Sequence, residues 1–243
     1  MLRTAALCAS VALPLAAFAA PVPPPSEKEL LAKHWGKAEG QGEFSLKGKQ
    51  LTLRTTGQPA RGGINRTQMN MPRVTRTASG DFEATVKLVD APLPDPKVKH
   101  DDSWPATRAG LYVEGGGYTV ELHLYQYYPK FNGEQREEAT RYLWVDTWFP
   151  RGGAGSSLKQ VPAGQSVYLR LTRKGKEVTV SHSADGEAWS KPFNPRQQLE
   201  LPDEVTVGVF FSHSTYQILD ATFDGLKVEK LKEEKEKPKE EKK

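Results

Sequence analysis

Residues 108–125 read RAGLYVEGGGYTVELHLY, and this stretch decides the fold. Small and aliphatic side chains recur at every second position: Ala109, Leu111 and Val113 before the glycines, then Val120, Leu122 and Leu124 after them. That period of two is the mark of a strand buried on one side only. Arg108, Tyr112 and Glu114, and then Glu121, His123 and Tyr125, must point the opposite way.

From Phe44 onward the same period dominates, in runs bounded by Gly, Pro, Asn and Asp. The strands expected are Leu51 to Thr55, Asp81 to Val89, Arg108 to Glu114, Tyr118 to Tyr125, Arg141 to Thr147, Ser166 to Arg173, Glu177 to Ser183, Val205 to Ser212 and Ile218 to Glu229. Many short strands with no helical segment between them predict an all-β fold, a closed sandwich of two antiparallel sheets. Tight turns are expected at Arg173-Lys-Gly-Lys176 and Ser183-Ala-Asp-Gly-Glu187, where Gly supplies the positive φ.

Alternation on the later strands extends the outward face. Leu143 and Val145 go to the core, so Tyr142, Trp144, Asp146 and Trp148 face out. Val205, Val207 and Val209 likewise leave Phe210 and Ser212 beside the outward set. A solvated sheet face ordinarily carries Thr, Lys and Ser; this one gathers aromatic, acidic, His and Arg side chains. Such a surface suits a sugar, whose apolar C–H faces stack on rings while its hydroxyls meet charged groups. The competing reading is that the loops Asp90 to Pro105 and Tyr127 to Glu138 cover some of these aromatics.

The ends of the chain read differently. Arg3, the apolar run Ala5 to Phe18 and the small residues of Ala17-Phe-Ala19 have the order of an export signal, residues 1–19, too short to span a bilayer. The single cysteine, Cys8, lies inside it, so the mature chain is expected to hold no disulfide, thiol nucleophile or cysteine zinc site. Residues 20–34 form a lead-in: a polyproline spacer, Pro21 to Pro25, then a capping box at Ser26 and Glu29 opening a short helix through Lys33. Residues 35–229 are the sandwich. Residues 230–243 are a mixed-charge tail with almost nothing to bury, read as a solubilising extension with envelope contact as the alternative.

Composition limits the partners. Hydrophobic residues make up 37% of the 243 and mean hydropathy is -0.61, which argues against a membrane span. The net charge of +4 comes from 34 basic and 30 acidic residues, interleaved, so no strong field awaits a nucleic-acid backbone.

Ala78-Ser-Gly-Asp-Phe-Glu83, Arg108 to Glu114, Val167-Tyr-Leu-Arg-Leu-Thr-Arg173, Ser183-Ala-Asp-Gly-Glu-Ala-Trp189, Val207-Gly-Val-Phe-Phe211 and Ala221-Thr-Phe-Asp-Gly-Leu226 follow one another in the chain. In that order they resemble small secreted domains of the concanavalin A-like lectin/glucanase superfamily, over roughly Trp35 to Glu229. The resemblance implies a jelly roll whose outward strands form a concave, ligand-bearing face. The expected ligand-binding residues are Arg108, Tyr112, Glu121, His123, Tyr125, Trp144, Asp146, Trp148, Phe210 and Ser212, and the expected partner is a glycan or polysaccharide.

Three functions remain open. A lectin-like binding domain comes first. A glycosidase would use a carboxylate pair such as Glu121 and Asp146, but the Glu-x-Asp-x-x-Glu string of jelly-roll glucanases is absent. An adhesion or scaffolding domain is the third. Ser183 to Trp189 superficially resembles the Asp box of sialidases, yet is one residue short between Asp and Gly and reads as a turn. His100-Asp-Asp-Ser-Trp104 reads as solvated loop rather than metal ligands. The superfamily includes members with structural calcium, but no stretch here has the acidic spacing of a calcium loop; neither cofactor nor metal is expected.

Overall fold

A computed structural model describes residues 26–60, 70–101, 104–131, 134–135, 138–195 and 198–231. The segments read from the sequence as an export signal and a polyproline spacer, and residues 232–243, lie outside these. The lead-in helix α1, Glu27–His34, opens on the expected capping box: Glu29 N–H donates to Ser26 Oγ (3.3 Å) and Ser26 N–H donates to Glu29 Oε2 (2.8 Å). It buries no residue fully and packs on the core through Leu31.

The strands follow in chain order: β1 Lys37–Glu39, β2 Glu43–Lys47, β3 Gln50–Arg54, β4 Arg73–Ser79, β5 Phe82–Asp90, β6 Ala106–Gly115 and β7 Tyr118–Tyr127. After a small pair, β8 Lys130–Phe131 and β9 Glu134–Gln135, come β10 Thr140–Phe149, β11 Gly152–Gln160, β12 Val167–Lys174, β13 Glu177–Ser183, β14 Glu204–His213 and β15 Asp220–Lys230. All nine expected strands are present. Five others carry no clear alternation in the sequence: β1, β4 and β11, and the two-residue β8 and β9. Strand β2 continues the period that begins at Phe44.

Two antiparallel sheets form the sandwich, ordered β1-β4-β14-β6-β7-β10-β11 and β13-β12-β5-β15-β3-β2. Their facing sides interleave to make one core. Ala109, Leu111, Val113, Val120, Leu122, Leu124, Leu143, Val145, Val207 and Val209 enter it from the first sheet; Leu51, Leu53, Val86, Leu169, Leu171 and Phe223 enter from the second. The inward half of the alternation is therefore as expected, and it fixes the direction of every other residue on these strands.

Turn chemistry also follows the sequence. Gly175 joins β12 to β13 at φ 57° and Gly186 sits at φ 86°. Around Gly186, Asp185 Oδ1 accepts from Ser183 Oγ (2.8 Å) and from the N–H groups of Glu187 (2.8 Å) and Ala188 (2.9 Å). Those donors hold the Asp185 carboxyl down at about 2. The Trp189 indole turns back and donates to Gly186 O (3.1 Å), so this segment is the turn its length implied.

Candidate functional site

The site lies on the outer face of the seven-stranded sheet, where register brings the ten expected residues together. Across β14, β6, β7 and β10, one row runs Ser212, Arg108, Tyr125, Tyr142. The next runs Phe210, Gly110, His123, Trp144, and the third Gly208, Tyr112, Glu121, Asp146. Trp148 stands one row further, opposite Thr119.

Glycines open the space between these side chains. A Cβ at Gly110 would lie 2.5 Å from His123 Cα and Cβ. On β11 a Cβ at Gly155 would lie 2.4 Å from Asp146 Oδ1, and one at Gly153 would lie 2.0 Å from the Trp148 ring. The glycine-rich edge strand is thus the floor on which the two indoles rest.

The face is not uniformly open, which differs from the sequence expectation. Tyr112, Glu121, His123, Asp146, Phe210 and Ser212 are buried, whereas Arg108, Tyr125, Trp144 and Trp148 are half-buried. For Tyr112 and Phe210 the reason is a second, small apolar cluster: Ala60 and Met71, from the segment before β4, pack with them on this outer face. Ala60 is tied there by paired backbone hydrogen bonds with His213. Neither Ala60 nor Met71 belongs to the two loops that the competing reading named as cover, although Trp104, in the first of those loops, does reach Tyr125.

Inside the buried part, Glu121, His123 and Asp146 each offer one ligand-type atom, and these atoms all lie within 4.8 Å of one another. Burial, and then the neighbouring Asp146, push the Glu121 carboxyl up to about 7. Burial also raises Asp146, against the opposing pull of Arg108 and of the Trp144 indole, which donates to Asp146 Oδ1 (2.9 Å). Burial and Arg108 keep His123 neutral. Its Nε2 stands 3.7 Å from Asp146 Oδ2, and neither ring nitrogen has a hydrogen-bond partner.

The open part is an aromatic platform at the end of the face nearest Trp104. Tyr125 and Tyr127 stack at 4.8 Å with planes 22° apart, and Trp104 lies 5.4 Å from Tyr127. The Trp104 indole donates to the Tyr125 hydroxyl (2.6 Å). Trp144 meets Tyr125 edge-on at 5.9 Å, and Arg108 sits 4.9 Å over the Tyr125 ring. Tyr142 pairs with Tyr125 across β7 and β10. All five aromatics are half-buried. Trp104, Tyr127 and Tyr142 were not among the expected ligand residues, although Tyr127 continues the Tyr125 alternation and Tyr142 that of Trp144.

The His100 loop serves as a tether. His100 bridges Thr215, and Asp101 accepts from the Tyr216 hydroxyl (2.9 Å); Asp102 lies outside the described residues. Elsewhere, the outer face of the six-stranded sheet bears a cleft of about 540 Å³ lined by Glu83, Arg170, Lys174, Glu177 and Trp189. There Arg170 stacks 3.6 Å over the Trp189 ring and reaches Glu83 at 3.3 Å.

No protein-family model and no curated protein matches the chain. Among solved structures it is similar to a functionally unknown protein from Saccharomyces cerevisiae, with TM-score 0.56 and 13% identity over 81% of this chain and 96% of that one. A GH43 protein, BlXynB from Bacillus licheniformis, gives TM-score 0.49 at 17% identity, covering 77% of this chain and 34% of that chain. The exoplasmic/lumenal domain of VIP36 in a Ca2+/Man3GlcNAc-bound form gives 0.45 at 12%, covering 81% and 85%. What the likeness at TM-score 0.56 shows is a shared fold, an all-β sandwich of two antiparallel sheets. At these identities the likeness is one of fold, and function has to be argued from the site.

Proposed function

We propose that the protein binds a carbohydrate on the platform formed by Trp104, Tyr125, Tyr127, Tyr142 and Trp144. The observation that carries this reading is the gathering of five half-buried aromatic side chains from two neighbouring strands and one loop, with Arg108 over the Tyr125 ring. Rings held by their own stacking and by the Trp104–Tyr125 hydrogen bond offer flat apolar area without needing to be ordered on binding. Arg108 supplies donors for ring hydroxyls. The sequence features of an export signal favour a place of action outside the cytoplasm, where free and envelope glycans are accessible.

Burial weighs against the glycosidase alternative. A general acid and its partner must both reach the glycosidic oxygen or the anomeric carbon, yet Glu121 is 2% and Asp146 7% exposed. A glycan array probed with the purified protein tests the binding reading. Retention of a defined set of glycans is the expected result; an empty array would favour an adhesion or scaffolding domain instead.

A further inference from the structure

We propose that Glu121, His123 and Asp146 form a binding site for one divalent ion of the borderline kind, such as zinc or manganese, beside the aromatic platform. The inference is independent of what the platform binds.

Geometry is the first support. His123 and Glu121 are alternate residues on β7, and Asp146 is the register partner of Glu121 on β10. With their ligand atoms within 4.8 Å of one another, an ion at the centre would lie at most about 2.8 Å from each, against bond lengths of about 2.0–2.2 Å. Small side-chain adjustments close that gap.

The second support is independent of the acids. His123 is fully buried, 0% exposed, with Nδ1 and Nε2 both unpartnered. Buried polar atoms in folded proteins almost always have a partner, and a neutral imidazole beside two carboxylates has its lone pair ready for a metal. Trp144 completes the arrangement: by donating to Asp146 Oδ1 it leaves Oδ2 on the His123 side, as partners of metal-bound carboxylates do. The Arg108 guanidinium, 4.9 Å over the Tyr125 ring, is close enough to act on the charges of Glu121 and Asp146, so an ion here would have to bind beside that cation. One nitrogen and two carboxylates suit zinc or manganese, while calcium would ask for six to eight oxygens.

The test is isothermal titration of the full-length protein, stripped with EDTA, with Zn2+, and with Co2+ as an optical probe. One equivalent of Zn2+ should bind, and Co2+ should give visible absorption from a site of low coordination number. Asp146→Asn and His123→Gln, each checked for folding by circular dichroism, should weaken Zn2+ by more than about tenfold, the loss that even orienting partners of ligands cause. The nearly isosteric Asp146→Asn carries the test if His123→Gln does not fold. A His34→Ala/His182→Ala protein, lacking two histidines remote from the cluster, should bind as the wild type does. No saturable binding, or binding that survives Asp146→Asn and disappears with the remote histidines, would overturn the proposal.

Discussion

The Trp144 indole donates to Asp146 Oδ1 at 2.9 Å along the outer face of a single strand, and Gly155 on the neighbouring strand makes room for both partners. A Cβ at position 155 would lie 2.4 Å from Asp146 Oδ1 and 2.6 Å from Trp144 Nε1. The glycine thus serves a close approach between strands.

Gly155→Ala should therefore push the two side chains apart and destabilise the fold by about 1–3 kcal/mol, the usual range for overpacking. The melting temperature should fall by roughly 2–10 °C for a domain of this size. An unchanged melting temperature would show that the edge strand gives way without resistance.

Arg173 should prove a stability residue of the opposite sheet. It is 5% exposed and donates to the carbonyls of Gly175 (3.1 Å), Asp203 (3.0 Å) and Leu201 (3.4 Å), tying the β12–β13 turn to the segment before β14. Arg173→Met keeps much of the volume but strands these acceptors, with an expected cost of about 2–4 kcal/mol. Urea unfolding should show a lower midpoint at similar slope; equal midpoints would remove this role.

His213 should make stability depend on pH. Burial holds its imidazole down at about 4, below the usual value near 6.5, so the unfolded chain takes up the proton first. The contribution of neutral His213 is fully present above about 6.5 and is lost as pH falls towards 4. Glu121, shifted upward by burial and Asp146, acts in the opposite sense over an overlapping range. The comparison is therefore between proteins: His213→Gln should lose less stability than the wild type between pH 6.5 and 4.5 in denaturant titrations. Parallel curves would contradict the assignment.

Much of the fold is legible in the sequence because ten core positions on β6, β7, β10 and β14 keep strict alternation. Strand β11 is not, since Gly152-Gly-Ala-Gly155-Ser-Ser packs almost nothing apolar; it is an exposed edge whose glycines answer to indoles on its neighbour. Strand β4 is obscured by Arg73, Arg76 and three threonine or serine residues, although Val74 and Ala78 are buried. For the site, alternation identifies the face but not its cover. Ala60 and Met71 reach Tyr112 and Phe210 from about 40 to 150 residues away in sequence, a distance at which no local pattern reports contact. Trp104 is read only as part of a covering loop for the same reason: its place beside Tyr125 and Tyr127 is set by the loop's path.

The most direct test of the carbohydrate reading is an equilibrium binding measurement on the Tyr127→Ala/Tyr142→Ala protein, using whichever glycan the wild type retains on the array. Both side chains are half-buried and lie outside the main core, so the fold should survive their loss with a melting temperature within a few degrees of wild type. Affinity should fall by at least about tenfold, roughly 1.4 kcal/mol. Equal affinity in the two proteins would contradict the account and place the glycan elsewhere.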